Sequence, residues 1–574
     1  MKSSKEYLDR ISEELRIFNK KAVEIICGEI VADLYASDEN FEGKYVEKIM
    51  QQLRSKRMFQ LMQKLGDALI QTGRHTYKIR RQYAQALIDQ NNLTSGIVIL
   101  KELENDTSNA TNIDDAAKEE NSEARGLLGR CYKQLYINAN NPGVSHNINF
   151  LREAIKFYLE VYRDDPETRT WHGINAAALL ARANRDNIAL DDFPLSKDLA
   201  NSVLSIIKVK YENERADAWD FATAAEACVA LDEPTEALEW MSGYARMPYC
   251  DAFELASTLR QLQEVWQLDM SSDSGRTLLP LLRAELLKRE GGNIIIDAAE
   301  LLKQRANEDK ISSYYKSSRE KQNSKDSKVV LEKVFGDDSF KTYKWYMLGA
   351  DRCLAVARIG RDSSKGFGTG FLLQGSALHE PLGEELVLIT NAHVVSNDPL
   401  EKALRPEEAI IIFEALNRDE EFKVSEIIWS SPSNDLDATV LRFEKNDHER
   451  LTELTKDVKI YPASKYLPAL EPDNPQRIYV IGHPFGGTLQ LSFQDNVLLD
   501  YQDPKIHYRT PTEGGSSGSP VFNQQWDLIG LHHAGSDTMP CLNGKHGTYE
   551  ANEGIWIQAN KEENTIIYEF TKTN

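Results

Sequence analysis

At 574 residues, with 41% apolar and 27% charged side chains, the chain reads as a soluble globular protein of two to four domains. Its formal net charge of −21 argues against nucleic-acid binding, whose affinity comes largely from a basic surface meeting phosphates. No run of about eighteen apolar residues is present to span a membrane, the start Met1–Leu8 lacks the apolar core of a signal peptide, and Cys27, Cys131, Cys228, Cys250, Cys353 and Cys541 are scattered without C-x-x-C spacing, so a cytoplasmic, membrane-free protein without a disulfide framework is expected.

The first three hundred residues carry helical periodicity almost throughout. Ala154, Ile155, Tyr158, Leu159, Val161 and Tyr162 recur three to four apart and so share one helix face. Similar faces are predicted near 57–70, 77–90, 122–137, 195–211, 216–230, 235–246 and 251–267. The spacing also repeats. Leu128-Gly129-x2-Tyr132 fits the first helix of a tetratricopeptide repeat, and Ala154-x3-Tyr158-x2-Val161, with Pro166 beyond it, fits the second helix and its stop. A second copy runs from Phe221 to Pro248 and a third from Tyr83 to Leu103. A helical solenoid over 1–303 follows, and its concave surface is expected to bind a regulatory protein or a small ligand. The stretch Glu123–Lys133, followed by Ala154-Ile155-x2-Tyr158 and by His172–Leu180, resembles the TRAFs-binding, tetratricopeptide-like region of the apoptosis signal-regulating MAP kinase kinase kinases. That resemblance, over about residues 60–300, implies a regulatory, protein-binding platform.

Three joins are visible. Residues 105–121 are polar and Asn/Asp-rich, which predicts a surface loop between helices. From 304 to 328 the chain is Lys, Ser, Asn, Glu and Asp with almost no aliphatics, the composition of a flexible linker. Residues 329–349, from Val329-Val330-Leu331 to Trp345-Tyr346-Met347-Leu348, form an amphipathic lead-in. Beyond 350 the texture changes to short β-branched and apolar runs separated by Gly, Pro, Asn and Asp, as in an all-β barrel, and 350–574 is read as one domain.

Chemistry concentrates in that domain. In Thr512-Glu513-Gly514-Gly515-Ser516-Ser517-Gly518-Ser519-Pro520, a glycine two places before Ser517 and another just after it build a tight turn that exposes a hydroxyl and clears space for backbone N–H groups. Ser517 is the candidate nucleophile, and the amides of Gly515 and Ser517 are the candidate oxyanion hole. Leu388–Thr390 is an apolar strand running through Asn391-Ala392 into His393, the candidate general base. Asp437 precedes the alternating strand Ala438–Phe443 and is the carboxylate chosen to orient the imidazole, with Asp435 as the fallback. There is no H-E-x-x-H and no phosphate loop ending G-K-(S/T), so neither a metal nor a cofactor is expected.

Four ordered blocks, Gly368–Leu372, Asn391–Val395, Asp437–Leu441 and Gly515–Val521, resemble the chymotrypsin-like (trypsin-fold) serine peptidases, most closely the bacterial branch with the HtrA proteases and the glutamyl endopeptidases. Val480–Gly486 resembles the segment that opens their second barrel. The resemblance covers about residues 345–574 and implies two six-stranded barrels behind the helical solenoid. It also implies a pocket for the side chain preceding the scissile bond, lined by Thr512 and by the strand carrying His532, where glutamyl endopeptidases hold an acidic side chain. Either that preference holds, or His532 and His533 merely fill the second barrel. His533 stands where many animal relatives have a serine bonded to the catalytic aspartate, which leaves the support of Asp437 open.

The expected function is a cytoplasmic serine endopeptidase cleaving protein substrates, regulated by its tetratricopeptide-like domain, and, from the bacterial resemblance, a signalling or defence effector. The competing expectation is a catalytically silent binding scaffold. Oligomeric state, activating signal and natural substrate are not encoded in any motif.

Overall fold

The computed structural model describes residues 3–16, 19–36, 41–108, 115–247, 250–289, 294–295, 337–363, 365–456, 458, 460, 463–464, 466, 468–470, 476–492, 496–509, 515–558 and 565–573. They fall into two units, one comprising the residues up to Glu285 and 337–340, the other 286–289, the short strand Ile294–Ile295 and the residues from Lys341 onward. The expected linker at 304–328, and residues 329–336 of the expected lead-in, lie outside the described residues.

The first unit is helical, and from Gly43–Ser55 to Pro234–Arg246 each helix packs on the next, as in a solenoid. The faces predicted from periodicity appear as Phe59–Gln71, Tyr77–Asp89, Asp115–Ile137, Ser145–Asp164, Ser196–Glu212, Ala218–Leu231, Pro234–Arg246 and Ala252–Arg260. All six apolar residues chosen within 154–162 are buried. The repeat signature has a steric cause: a Cβ placed on Gly129 would sit 3.1 Å from the ring of Tyr158, so the glycine admits the tyrosine of the next helix. Asp217 with Asp220, and Asp251 with Glu254, form reciprocal capping boxes that start two helices.

The loop expected over 105–121 is shorter than its polarity suggested. Helix Leu93–Ser108 enters it from one side and Asp115–Ile137 begins inside it. Glu119 pairs with Arg169 and Glu120 with Arg81 at 2.6 Å, so polar residues here bind neighbouring helices rather than decorate a turn.

In the second unit, β2 (Val356–Gly360), β3 (Gly366–Gln374), β4 (Leu386–Thr390), β5 (Ile410–Ile412), β6 (Phe422–Ser431) and β7 (Ala438–Phe443) close into an antiparallel barrel in the order β2-β3-β4-β7-β6-β5. Alternation directs Ile359, Leu372, Leu388, Val424, Leu441 and Phe443 into its core. The other sheet joins β8 (Ile478–Gly482), β9 (Gln490–Ser492), β10 (Leu498–Gln502), β11 (Lys505–Tyr508), β12 (Pro520–Asn523), β13 (Leu528–Pro540) and β14 (Thr548–Trp556). The expected second six-stranded barrel is instead an eight-stranded sheet of open order, these seven strands plus Ile294–Ile295, here β1, which pairs antiparallel with β9 at its edge: β1-β9-β8-β12-β13-β14-β11-β10. Its core is Ile478, Val480, Ile506, Tyr508, Val521, Ile529 and Trp556. The end of the lead-in is helical from Asp337 to Cys353 and docks here: Trp345 Nε1 donates to the Gln524 carbonyl at 2.8 Å, and its ring meets those of Tyr479 and Trp526.

Candidate functional site

Strand β4 ends at Thr390, and the chain turns at once so that Asn391 and His393 leave the first barrel at its rim. Asn391 Nδ2 donates to the Asp437 carbonyl at 2.7 Å and ties that turn to the residue preceding β7. Asp437 has φ +45°, a conformation aspartate tolerates better than most residues, and its side chain is fully buried. Its two oxygens do different things. Oδ1 accepts the backbone N–H of His393 at 3.0 Å, and Oδ2 faces His393 Nδ1 at 2.6 Å. The imidazole is thereby fixed in tautomer and direction with Nε2 facing away from the carboxylate, and about a third of the side chain is open to solvent. Asp435, the fallback, instead accepts from Ser431 Oγ at 2.9 Å within its own turn.

A second imidazole shares the same oxygen. His533 Nδ1 lies 2.7 Å from Asp437 Oδ2, so the position left open by the missing serine is filled by a ring donor. Burial works to raise the pKa of Asp437, but the hydrogen bonds from His393 and His533 outweigh it and hold the carboxyl below its usual value. Behind His533, its Nε2 is 3.6 Å from Glu553 Oε1, and buried Glu553 is itself held by His507 at 2.8 Å and Lys505 at 3.0 Å. The sequence signal for this network was the His532-His533 pair alone; Glu553 and His507 lie on other strands and carry no motif.

The serine turn is built by contact with both the barrel and the eight-stranded sheet. Gly515 and Gly518 have φ +95° and +85°. A Cβ on Gly518 would stand 2.0 Å from the Thr369 carbonyl, and one on Gly515 2.5 Å from the Gly486 amide, so only glycine fits either place. Thr369 N donates to the Ser517 carbonyl at 2.8 Å and Thr369 Oγ1 to the Gly515 carbonyl at 3.0 Å, while Gly518 N donates to the His532 carbonyl at 3.1 Å. The carbonyls of the turn are thus taken up by the scaffold. Among the described residues, the amides of Gly515 and Ser517 and the Ser517 hydroxyl have no hydrogen-bond partner. No hydrogen bond joins Ser517 to His393 among them either.

His532 is buried, with Nδ1 2.8 Å from the Tyr508 hydroxyl. Burial, with the neighbouring His533 and His393, lowers its pKa to about 3, so the ring is neutral and Nε2 is the atom left for a further partner. Thr512 lies outside the described residues. His483, in the segment that opens the second sheet, turns Nδ1 to the Gly487 carbonyl at 3.0 Å and is structural. Among the described residues, His393, Asp437 and His533 also form the one His/Cys/Asp/Glu cluster close enough to hold a metal ion, but the two Nδ1 atoms stand at hydrogen-bond distance from Oδ2.

Residues 368–531 match the family model described as a trypsin-like peptidase domain. The chain carries a trypsin-like peptidase domain. Residues 54–180 match the family model of tetratricopeptide repeats-sensor, placing repeats of that kind ahead of it. A curated relative, the uncharacterized protein y4fB of Sinorhizobium fredii, is 29% identical over 236 residues, covering 38% of this chain and 33% of the relative. A solved structure of a Glu endopeptidase in complex with MPD aligns with 15% identity and a TM-score of 0.26 over 38% of this chain and 88% of that one. Another, from work on the coupled folding and binding of the Sesbania mosaic virus VPg protein, aligns with 18% identity and a TM-score of 0.24 over 35% and 85%. No helix among the described residues is long and apolar enough to cross a membrane.

Proposed function

We propose that the chain is a serine endopeptidase that hydrolyses peptide bonds in protein substrates through an acyl-enzyme. The reading rests above all on one observation: a buried carboxylate holds His393 by Nδ1 while, among the described residues, two turn amides and a serine hydroxyl stand without partners. His393 Nε2 takes the Ser517 proton as Oγ attacks the substrate carbonyl, and the Gly515 and Ser517 amides receive the charge that develops on oxygen. The imidazolium, stabilised by Asp437, then gives its proton to the leaving amine. Water repeats the steps with His393 as base and releases the acid product and the free serine. The neutral His532, if the Tyr508 hydroxyl donates to Nδ1, offers an Nε2–H donor to an acidic side chain preceding the scissile bond.

Fluorophosphonate labelling tests the reading. The full chain should be labelled, and Ser517→Ala should lose labelling by about 10⁴-fold or more. A wild-type chain that stays unlabelled supports the second reading, a binding scaffold, which the missing His393–Ser517 hydrogen bond favours. Such bonds often tighten only when substrate binds, so the first reading accommodates it. Control by the helical unit, and a place in bacterial signalling or defence inside the cytoplasm, belong to the same proposal.

A further inference from the structure

The helical unit contains a cavity of about 390 Å³ that the peptidase reading does not use. It lies on the face lined by the helices Tyr77–Asp89, Asp115–Ile137, Thr170–Arg185 and Ala218–Leu231, and it is walled on one side by an unusual element. After Ala252–Arg260 the chain makes a π-helical turn, Gln261–Val265, a form rare in proteins and frequent at functional sites. That turn is tied to helices far away in sequence. Gln261 bonds Lys133, Asn175 and Glu226, Arg182 donates to the Glu264 carbonyl at 2.6 Å, and Arg185 to the Val265 carbonyl at 2.7 Å. The groove a solenoid would present to a peptide is therefore walled on one side into a half-open chamber, and its volume suits one small molecule.

The chemistry of the wall is cationic. Lys133 is buried, and its ammonium bonds only two neutral oxygens, Asn175 Oδ1 at 2.9 Å and Gln261 Oε1 at 2.7 Å, with no ion pair among the described residues. One helical turn before it, Arg130 shares a single carboxylate, Asp89, with Arg260 at 3.7 Å, and Asp89 lies behind the wall rather than in it. Burial and the nearby Arg130 lower the Lys133 pKa to about 7, which an oxyanion in the chamber would reverse. Four carboxylates line the same space: Glu123 lies beside Arg81 and Arg169, Asp217 caps its own helix, and Glu226 and Glu264 are the two near Lys133. Glu226 accepts from Trp266 Nε1 and Gln261, and Glu264 accepts from Gln134 at 3.3 Å. Both suit hydroxyl donors. Trp171, Trp219 and Phe253 complete the lining with apolar rings.

We propose that this chamber binds a phosphorylated small molecule of nucleotide size, its phosphate held by Arg130, Lys133 and Arg260 and its planar ring set against the aromatic lining. Arginine forks match phosphate oxygens in pairs, and a buried ammonium that makes no direct ion pair, its carboxylates Glu226 and Glu264 acting only through space, gains from an anion that bonds it. The site stands on the helical unit alone and does not depend on the peptidase reading.

The test is calorimetric titration of the full chain with ADP, with inorganic phosphate, adenosine and succinate as separate arms. ADP should bind, phosphate and adenosine each more weakly. Lys133→Met and Arg260→Gln should each weaken ADP by about tenfold or more, the loss of a hydrogen bond to a charged group. Arg260 is 40% exposed, so its variant keeps the fold even should Lys133→Met fail to. Ser517→Ala should bind ADP like the wild type, which separates this site from the peptidase. No ADP binding, ADP affinity unchanged in both variants, or succinate binding as tightly as ADP would each overturn the proposal.

Discussion

Replacing His533 by alanine removes one of two imidazole donors from a single carboxylate oxygen. The bond is 2.7 Å long and Asp437 is fully buried, so solvent cannot replace the donor without entering the core. A hydrogen bond to a charged group contributes about 1.5–3 kcal/mol. Expressed wholly in the transition state, where Asp437 stabilises the imidazolium, that is roughly a 10- to 160-fold slower reaction. Fluorophosphonate labelling reads this without a known substrate. The same variant should change acid stability. The folded-state pKa of Asp437 is lowered, so its contribution is present above the unfolded value, near 3.8, and is lost as pH falls through the folded value. With one of the two lowering bonds gone, the folded value moves up and the loss begins at higher pH, so the acid-unfolding midpoint should rise. A labelling rate within about twofold of wild type across pH, with an unchanged acid midpoint, would refute the view that His533 supports the site.

Asp437→Asn should slow labelling by about 10⁴-fold by favouring the wrong tautomer of His393, whereas Asp435→Ala, which loses only a bond from Ser431, should stay within about twofold. Gly518→Ala places a Cβ 2.0 Å from the Thr369 carbonyl at φ +85°, so thermal unfolding should show a loss of about 1–3 kcal/mol together with loss of labelling. Tyr508→Phe removes the partner of His532 Nδ1; in peptide-library profiling, any preference for an acidic residue before the cleaved bond should fall about tenfold while other cleavage persists.

The helical pattern was legible because a period of three to four residues is local, and so were the strand end before His393 and the glycine turn around Ser517. Asp437 and Asp435 could not be separated in sequence. What separates them is the positive φ at 437 and the bond from Asn391, both products of packing between β4 and β7. The same holds for His533, whose role depends on a ring from β13 reaching across to the first barrel, and for Glu553 and His507, brought in by β14 and β11. The short helical ends around residues 105–121 were hidden because ion pairs with Arg81 and Arg169, not apolar spacing, hold them. The chamber at Lys133 was invisible for a further reason: it needs a π turn 128 residues later in the chain to wall it.

Control of a peptidase by a ligand has an energetic requirement that tight binding alone does not meet. Moving an inactive-to-active ratio from 1:99 to 99:1 needs about 5.5 kcal/mol of preference for one state, and a ligand that binds both equally shifts nothing. Contacts that stay fixed cannot supply the preference, so they must come from an element whose position depends on occupancy. The π turn fits that description, since Gln261 binds the same ammonium that an anion would engage. It also has a covalent route onward. The chain runs from it through the helix Asp273–Leu287 to β1, which pairs with β9, then β8, then β12, the strand that begins three residues after Ser517. Fluorophosphonate labelling of the full chain with and without ADP tests whether that route carries a signal: a change in rate of about tenfold or more is expected, and an equal rate would refute it.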